Sequence, residues 1–333
     1  MTDLELTFAC WNYDRCQALL DGRVTIKGVR LKPYIDYPNT IFSRAFTDAP
    51  FDISELSASS YAMQVGRGHC EYVALPVFVS RAFRHGGIYV RDDAGINRPK
   101  DLEGRIIGVP EYQMTMALWV RGMLQDEYGV DFGTLKYRTG GTNEAGRKER
   151  LGLNLPEHID VQPIREADTL NGLLLTGHID AIISPMTPSS FTEKNPRIRR
   201  LFENPVVEER SYFKRTGLFP IMHLIGIRRQ LLQDYPNLAV SVFNAFVASR
   251  RIAMDTLEET ATASANRLLL PWLGSEWENT RQLMGEDYWP YGVNENTADL
   301  DALCRYSYEQ YLSPRQLNFK ELFAKETIAI AGT

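Results

Sequence analysis

The stretch LEGRIIGVPEYQMTMALWVRGMLQDEYGV, residues 102–130, decides the fold class of this chain. It begins with a short apolar segment that stops at Pro110, which is typical of a buried strand ended by proline. Apolar residues then recur at spacings of four, seven, eight and twelve, namely Met116, Val120, Met123, Leu124 and Tyr128. This periodicity predicts a helix that ends at Gly129. A strand that runs directly into a helix is the unit of an α/β domain.

The same alternation of strands and helices continues in both directions from this stretch. Alternating or continuous apolar runs predict strands at residues 4–8, 51–56, 72–79, 161–164, 181–183 and 221–227. A long helix is predicted after Pro236, with Leu238, Val242 and Phe246 on one face. Because helical segments separate the strands, we expect sheets whose strands are joined by crossover connections. The predicted fold class is therefore α/β.

Composition and charge exclude several classes of protein. The chain has 333 residues, of which 44% are hydrophobic and 24% are charged, as in ordinary globular proteins. No apolar run approaches the roughly 20 residues of a membrane span, so no membrane partner is expected. The formal net charge of -5 argues against nucleic acid, which is bound by basic surfaces. The length is typical of two domains.

Leader, cysteine and cofactor signals are all missing from the sequence. The N-terminus is acidic and strand-like rather than a secretory leader, so the expected location is cytoplasmic. The four cysteines are scattered without a C-x-x-C pair, and no histidines stand at metal-ligand spacing, so no metal site is predicted. There is no P-loop, G-x-S-x-G elbow, H-E-x-x-H motif or dinucleotide fingerprint. Nucleotide hydrolysis and a Rossmann cofactor therefore have no support.

Several stretches that follow one another along the chain look familiar together. They are FDISELS at 51–57, LPVFVSRAFRH at 75–85, PEYQMT at 110–115, LQDEYGV at 124–130, FPIMH at 219–223, GEDYWPYG at 285–292 and YSYEQYLSPR at 306–315. In this combination the chain resembles the 4,5-dihydroxyphthalate decarboxylase family over almost its whole length. The resemblance is less specific for the substrate than for the family.

The resemblance implies a two-lobed fold of the type 2 periplasmic-binding-protein class. Two α/β lobes would be joined by two hinge strands, near residues 88–91 and 224–228, with the ligand in the cleft between the lobes. Lobe 1 would be discontinuous and combine residues 1–90 with 216–333. Lobe 2 would span residues 91–215.

The resemblance also implies a reaction, the conversion of 4,5-dihydroxyphthalate to protocatechuate and carbon dioxide. No organic cofactor is expected, because the substrate ring itself accepts the electrons. A divalent metal held by the catechol oxygens is compatible with the chemistry, although no ligand cluster indicates one. Two alternatives stay open: a solute-binding protein for an aromatic or other small carboxylate, and another cytosolic lyase on the same fold.

Three residues are candidates for acid–base catalysis. His85 and His223 each precede a proposed hinge strand, and both would face the cleft if those strands ran antiparallel side by side. Either one would suit a proton donor near neutral pH, whereas the alternative is a structural histidine bonded to backbone. Glu111 would orient a histidine or accept a phenolic proton, unless it is a solvated acid at a helix start.

Nine residues are candidates for holding a small aromatic dicarboxylate. Arg15, Arg81 and Arg84 offer guanidinium groups that suit a carboxylate, although most arginines are solvated or paired at the surface. The remaining six lie where strands lead into helices, and they are Ser57, Ser59, Ser60, Tyr112, Gln113 and Thr115. Exposed backbone N–H groups and hydroxyls at such turns bind anions, and simple helix capping is the alternative.

Oligomeric state is open at this level. Aromatic residues concentrate at 272–277 and 288–291, where they either form a subunit interface or cover the core. A core role is favoured, and a homo-oligomer stays compatible with the sequence.

Overall fold

A computed structural model describes residues 3–332. Eleven strands in this part of the chain, numbered in chain order, form two sheets. The first sheet contains β1 (Leu4–Cys10), β2 (Val29–Ile35), β3 (Ile53–Ser57), β4 (Tyr72–Arg81) and β11 (Ile221–Arg228). The second contains β5 (Ile88–Arg91), β6 (Ile106–Val109), β7 (Lys136–Thr139), β8 (Val161–Pro163), β9 (Ala181–Ile183) and β10 (Ile198–Arg200). Every strand predicted above is confirmed.

Helices connect the strands and cover the sheets. The described residues contain α1 (Asp14–Leu20), α2 (Pro38–Thr47), α3 (Ala58–Gly66), α4 (Thr115–Tyr128), α5 (Leu170–Thr176), α6 (Ser189–Thr192), α7 (Pro205–Thr216), α8 (Arg229–Asp234), α9 (Leu238–Thr262), α10 (Leu273–Met284) and α11 (Thr297–Glu309). The helix predicted from residues 102–130 is α4, and Gly129 ends it in the left-handed conformation, with a φ of 64°. No helix within residues 3–332 is long and apolar enough to cross a membrane.

The strand order of the first sheet places the beginning of β11 beside the ends of other strands. The order is β2-β1-β3-β11-β4, with β1 parallel to β2 and β3, and β11 antiparallel to β3 and β4. Because β11 runs the other way, its beginning lies at the same edge as the ends of β1, β3 and β4. Residues that follow those three strands therefore meet the first residues of β11.

The two predicted hinge strands are not neighbours. β5, which contains residues 88–91, pairs with β9 and β10 in the second sheet, whose order is β10-β5-β9-β6-β7-β8. Residues 224–228 lie in β11 of the first sheet. The condition under which both histidines would face the cleft, that these strands run side by side, is therefore not met. The assignment of 1–90 with 216–333 and of 91–215 to two lobes stays a prediction.

Helix α4 ties the second sheet's half of the chain to the first sheet. Residues 115–124 are all buried, so the helix lies in the core rather than exposing a polar face. The indole of Trp119 donates to the carbonyl oxygen of Ile221 at 2.9 Å, at the start of β11. Arg121 is buried beneath Tyr112 and donates to Gln310 and to the Tyr112 carbonyl. The N-terminus of α4 is thereby held against the edge where β3 ends and β11 begins.

The two aromatic stretches have different environments. Tyr291 is buried and Trp289 packs against the core, so the favoured core role is confirmed for 288–291. Trp272 is instead exposed. A subunit interface stays a prediction.

Candidate active site

The edge of the first sheet carries a histidine, a glutamate and a serine on one face. His223 in β11 lies opposite Ser57 in β3. Glu55 precedes Ser57 by two residues on the same strand, and side chains at that spacing point to the same face. Strand pairing therefore places the three side chains side by side.

Glu55 is the centre of a buried hydrogen-bond network. One carboxylate oxygen, Oε1, lies 2.7 Å from Nδ1 of His223 and 2.7 Å from the hydroxyl of Tyr13. The other oxygen accepts from the backbone N–H of Trp11 at 2.9 Å. Burial and the nearby Glu55 charge raise the pKa of Tyr13, so its hydroxyl remains protonated and donates. Glu55 itself is fully buried, and its three donors fix its position.

This network orients the His223 ring. Since Glu55 accepts from Nδ1, the nitrogen that remains for a ligand is Nε2, which none of residues 3–332 engages in a hydrogen bond. The ring of Phe42 packs edge-on against the imidazole at 4.8 Å. The His223 side chain is 18% exposed. A histidine held by a carboxylate on one nitrogen and open on the other is arranged for proton transfer.

Hydroxyl groups from both halves of the chain meet beside His223. The hydroxyl oxygens of Ser57 and Thr115 are 2.9 Å apart, and the backbone N–H of Ser59 donates to Thr115 at 3.1 Å. The Ser60 hydroxyl lies 3.2 Å from that of Ser57 and 3.1 Å from the Gln113 amide. These residues were predicted from separate motifs, and the structure brings them together.

The alternative of simple capping is wrong for these residues. Neither α3 nor α4, both within the described part of the chain, has a side-chain hydrogen bond at its N-cap. Tyr112 differs from its neighbours, because its ring is fully buried against Tyr137 and its hydroxyl is directed to the carbonyl of Gln310. The structure therefore places Tyr112 in the core, and its predicted contact with a ligand stays a prediction.

Glu111 forms a buried ion-pair cluster instead of contacting a histidine. Its Oε1 lies 2.5 Å from Nη2 of Arg147 and 3.1 Å from Nη2 of Arg150. Its Oε2 accepts from the backbone N–H of Arg150 at 3.3 Å. Glu55 rather than Glu111 is the carboxylate that contacts His223. Arginines contact both Glu111 oxygens, and the acceptance of a phenolic proton by Glu111 stays a prediction.

His85 lies in an aromatic pocket away from this network. Its ring packs edge-on against Tyr128, Phe202 and Tyr212, and it is 1% exposed. Neither ring nitrogen has a hydrogen-bond partner among the described residues. Burial lowers the pKa of His85 to about 4, so the ring is neutral at pH 7. The alternative of a histidine bonded to backbone is therefore wrong, whereas a proton donor at this position stays a prediction.

Two of the three arginines predicted to bind a carboxylate form contacts with other residues of the protein. Arg15 lies between the rings of Tyr13 and Trp289, and its Nε donates to the carbonyl of Val79 at 2.7 Å. Arg81 is buried and lies 2.6 Å from Asp299, with further bonds to Asn296 and to the Phe219 carbonyl. Buried internal partners hold the guanidinium of Arg81, and its predicted contact with a ligand stays a prediction. Arg15 supports the position of Tyr13.

The terminal nitrogens of Arg84, the third predicted arginine, have no hydrogen-bond partner among the described residues. Among residues 3–332 its guanidinium forms one hydrogen bond, from Nε to the sulfur of Met222 at 3.3 Å. Burial lowers the pKa of Arg84 to about 10, and charge interactions with Glu209 and Tyr13 oppose this shift. Arg84 is therefore cationic at neutral pH, and its Nε lies against Met222, the residue before His223 in β11. A largely buried cation without a carboxylate partner is suited to an anionic ligand.

Sequence reasoning missed four site residues. Tyr13, Phe42 and Glu55 surround His223, and Arg150 borders the hydroxyl cluster through Ser60. Glu55 had a usable signal, because it is a charged residue inside an apolar strand and two positions before Ser57. Arg150 had none, since it lies in a charged segment that is typical of a solvated loop.

Metal-ligating side chains do not form a cluster in the described part of the chain. No group of three or more His, Cys, Asp or Glu side chains between residues 3 and 332 is arranged to hold a metal ion.

Similarity in structure shows the fold class. The periplasmic aliphatic sulphonate-binding protein SsuA from Escherichia coli has a TM-score of 0.54 at 11% identity, covering 98% of this chain and 99% of SsuA. The SsuA protein from Methylobacillus flagellatus has a TM-score of 0.56 at 12% identity, covering 99% and 93%. The desulfurization enzyme DszB has a TM-score of 0.51 at 15% identity, covering 98% of this chain and 97% of DszB. The type 2 periplasmic-binding-protein fold expected above is therefore confirmed.

Similarity in sequence shows the family. No family model matches the chain. A 4,5-dihydroxyphthalate decarboxylase from Comamonas testosteroni is 42% identical over 323 residues, which are 97% of each chain. A second, from Pseudomonas putida, is 44% identical over 205 residues, covering 62% of this chain and 80% of the relative. With this identity over nearly its full length, the chain belongs to the 4,5-dihydroxyphthalate decarboxylase family.

Proposed function

We propose that this chain decarboxylates 4,5-dihydroxyphthalate to protocatechuate and carbon dioxide, with His223 as the proton donor. The relatives named for this activity support the reaction. The observation that carries the assignment of the donor is the bond between Nδ1 of His223 and Glu55, which leaves Nε2 for a ligand. Arg84 supplies the positive charge that a carboxylate of the substrate requires.

The chemistry needs a proton donor and a polarised hydroxyl. Each carboxylate of the substrate is para to a hydroxyl, so electron density from that oxygen reaches the carbon that bears the leaving group. The imidazolium of His223 donates its proton to this carbon, and the C–C bond to the carboxylate then breaks. Its electron pair returns to the ring, which regains aromaticity as carbon dioxide departs. His223 recovers a proton from solvent before the next turnover.

The hydroxyls of Ser57, Ser60 and Thr115 are proposed to contact the substrate oxygens. They lie between His223 and the N-terminus of α4, where backbone N–H groups also favour anions. No organic cofactor enters this scheme, because the ring serves as the electron sink. A divalent metal on the catechol oxygens would be an addition to the scheme and is tested separately below.

A cytoplasmic location is part of the proposal. All four cysteines are free thiols, and Sγ of Cys10 lies 3.6 Å from Sγ of Cys16 without a bond between them. Free thiols are typical of proteins in a reducing compartment. Cell fractionation with an antibody to the chain tests this location.

The experiment is to mix purified chain with 4,5-dihydroxyphthalate and to follow carbon dioxide and protocatechuate. We expect equal amounts of both products, and the same rate after treatment with a chelator. A rate lost to the chelator and restored by a divalent ion would add a metal to the scheme. Tight binding without product would instead assign a solute-binding role and contradict the proposed reaction.

A further inference from the structure

A second cationic group borders the site from the other half of the chain. Glu111, Arg147 and Arg150 form what we call the arginine cluster, in which two guanidinium groups share one carboxylate. The side chains of Glu111 and Arg150 are 3% and 8% exposed, so solvent screens this cluster weakly. The cluster therefore carries a net positive charge in a largely buried position.

The arginine cluster reaches across to the first sheet's half of the chain. Nη2 of Arg147 donates to the amide oxygen of Asn39 at 3.1 Å. The guanidinium carbon of Arg150 lies 5.4 Å from the Phe42 ring, and Nη1 lies 3.4 Å from the Ser60 hydroxyl. Phe42 is also the residue that packs against His223. Arg150 therefore borders the His223 site on the side of α2 and α3. Arg84 contacts Met222, which precedes His223 in β11.

Arg150 has hydrogen-bonding capacity that the protein does not use. A guanidinium group has five N–H donors, and the side chain of Arg150 makes two hydrogen bonds with residues in the described range. Its Nε is enclosed without any partner there. Glu111 fixes the orientation of the group and leaves donors on the terminal nitrogens for a further acceptor.

We propose that Arg150 is a specificity-determining residue that selects aromatic ligands with two adjacent carboxylates, and that Glu111 and Arg147 are positioning residues for it. This inference rests on the proposed function, since it interprets Arg84 and Arg150 as two cations for one dianionic substrate. The product keeps a single carboxylate and therefore loses one of these attractions. Arg150 thus favours uptake of the dicarboxylate and release of the monocarboxylate.

The test compares the binding of phthalate and benzoate, which differ by one carboxylate and lack the hydroxyls of the substrate. Calorimetry is carried out on the full chain and on Arg150→Gln. We expect wild type to bind phthalate about 30-fold more tightly than benzoate, and the variant to reduce this ratio to about threefold or less. Arg150→Lys, which restores a point charge without the fork, should give an intermediate ratio.

The matched control is Arg98→Gln, which removes an exposed arginine paired with Asp101 and should leave the ratio unchanged. Arg150→Gln should fold, because Glu111 keeps Arg147 as its partner, and thermal melting checks this. In turnover, Arg150→Gln should raise KM with kcat nearly unchanged. A wild-type ratio near one, or an unchanged ratio in Arg150→Gln, would overturn the inference.

Failure of the proposed reaction gives a different result. Phthalate and benzoate report binding without any chemical step, so a chain that makes no protocatechuate still yields the two affinities. A shifted ratio without turnover would support Arg150 as the selective residue and contradict the decarboxylation.

Discussion

Glu55 is the residue that most directly determines how His223 can act. It accepts hydrogen bonds from three groups and thereby holds one ring nitrogen of the histidine away from the ligand. Removing the charge of Glu55 while keeping its shape should loosen the orientation of the His223 ring and should affect the stability of the fold less. We expect Glu55→Gln to lower kcat about 100-fold with a small change in KM.

Steady-state kinetics on Glu55→Gln and Tyr13→Phe checks this prediction. Tyr13→Phe is the milder partner, since it removes one donor and leaves the carboxylate, so its kcat should fall less. Equal and small losses in both variants would mean that the network is structural only.

The raised pKa of Glu149 predicts that the stability of the protein depends on pH. Burial raises the pKa of Glu149 to about 7, the Glu111 charge adds to the shift, and hydrogen bonds from the Tyr112 and Gln113 backbones and the Arg121 charge oppose it. The native state therefore holds this proton more tightly than the unfolded chain does. Stability from this group is complete below about pH 4.5 and is lost as pH rises through 7.

The matching variant is Glu149→Gln, which keeps an acceptor for those backbone groups. We expect it to exceed wild type in unfolding free energy by about 2 kcal/mol at pH 8 and by much less at pH 5. Urea denaturation at both pH values measures the difference. The same difference at both values would show that Glu149 does not titrate in this range.

At the residue scale, the sequence allowed the motif residues to be predicted but not their partners. His223, Ser57 and Thr115 lie close together because they begin or follow predicted elements. Arg81 could not be distinguished from Arg84, because its partner Asp299 lies far along the chain. Buried polar contacts between distant segments have no local pattern, and they decide which arginine is available.

At the scale of elements, local periodicity predicted which strands and helices exist. It did not predict which strands pair with one another. Apolar runs predicted the strands that became β3, β4, β9 and β11. The short strands β7 and β10 carry several cationic side chains and were missed. Whether β5 pairs with β11 depends on contacts across the whole chain, and the local pattern carries no signal for this pairing, which the structure does not contain.

The packing of α4 against α11 gives a prediction at this scale. A Cβ added at Gly122 would lie 2.4 Å from ring atoms of Tyr306, and that ring is buried against Trp119. We expect Gly122→Ala to destabilise the protein by about 2 kcal/mol, although alanine favours helix more than glycine does.

Chemical denaturation measures the effect, with Gly152→Ala as the control. Gly152 has no atom within 4 Å of an added Cβ, so its replacement should change stability little. A gain in stability for Gly122→Ala would show that the helices separate easily, which would contradict a fixed position for the N-terminus of α4.

At the scale of the whole molecule, the ligand is expected to join the two halves of the chain. A hydrogen bond between the hydroxyls of Thr115 and Ser57 and one from Arg147 to Asn39 already connect them. Phthalate at about 100 times its dissociation constant should stabilise the fold by about 2.7 kcal/mol. Arg84→Gln should largely abolish the corresponding rise in Tm at the same phthalate concentration.

Thermal melting with and without phthalate checks this expectation, with Arg98→Gln as the control that keeps the shift. A full rise in Tm with phthalate in Arg84→Gln would show that Arg84 does not contribute to binding the ligand. The overall two-lobed architecture was predicted from resemblance, since strand and helix patterns alone indicated two α/β units but not a cleft between them.

The most direct measurement for the central claim is single-turnover decarboxylation by wild type and His223→Gln, with substrate affinity measured on the same proteins. We expect a rate about 1000-fold lower in the variant, with affinity within a few-fold of wild type. A folded His223→Gln variant that turns over at nearly the wild-type rate would contradict His223 as the proton donor.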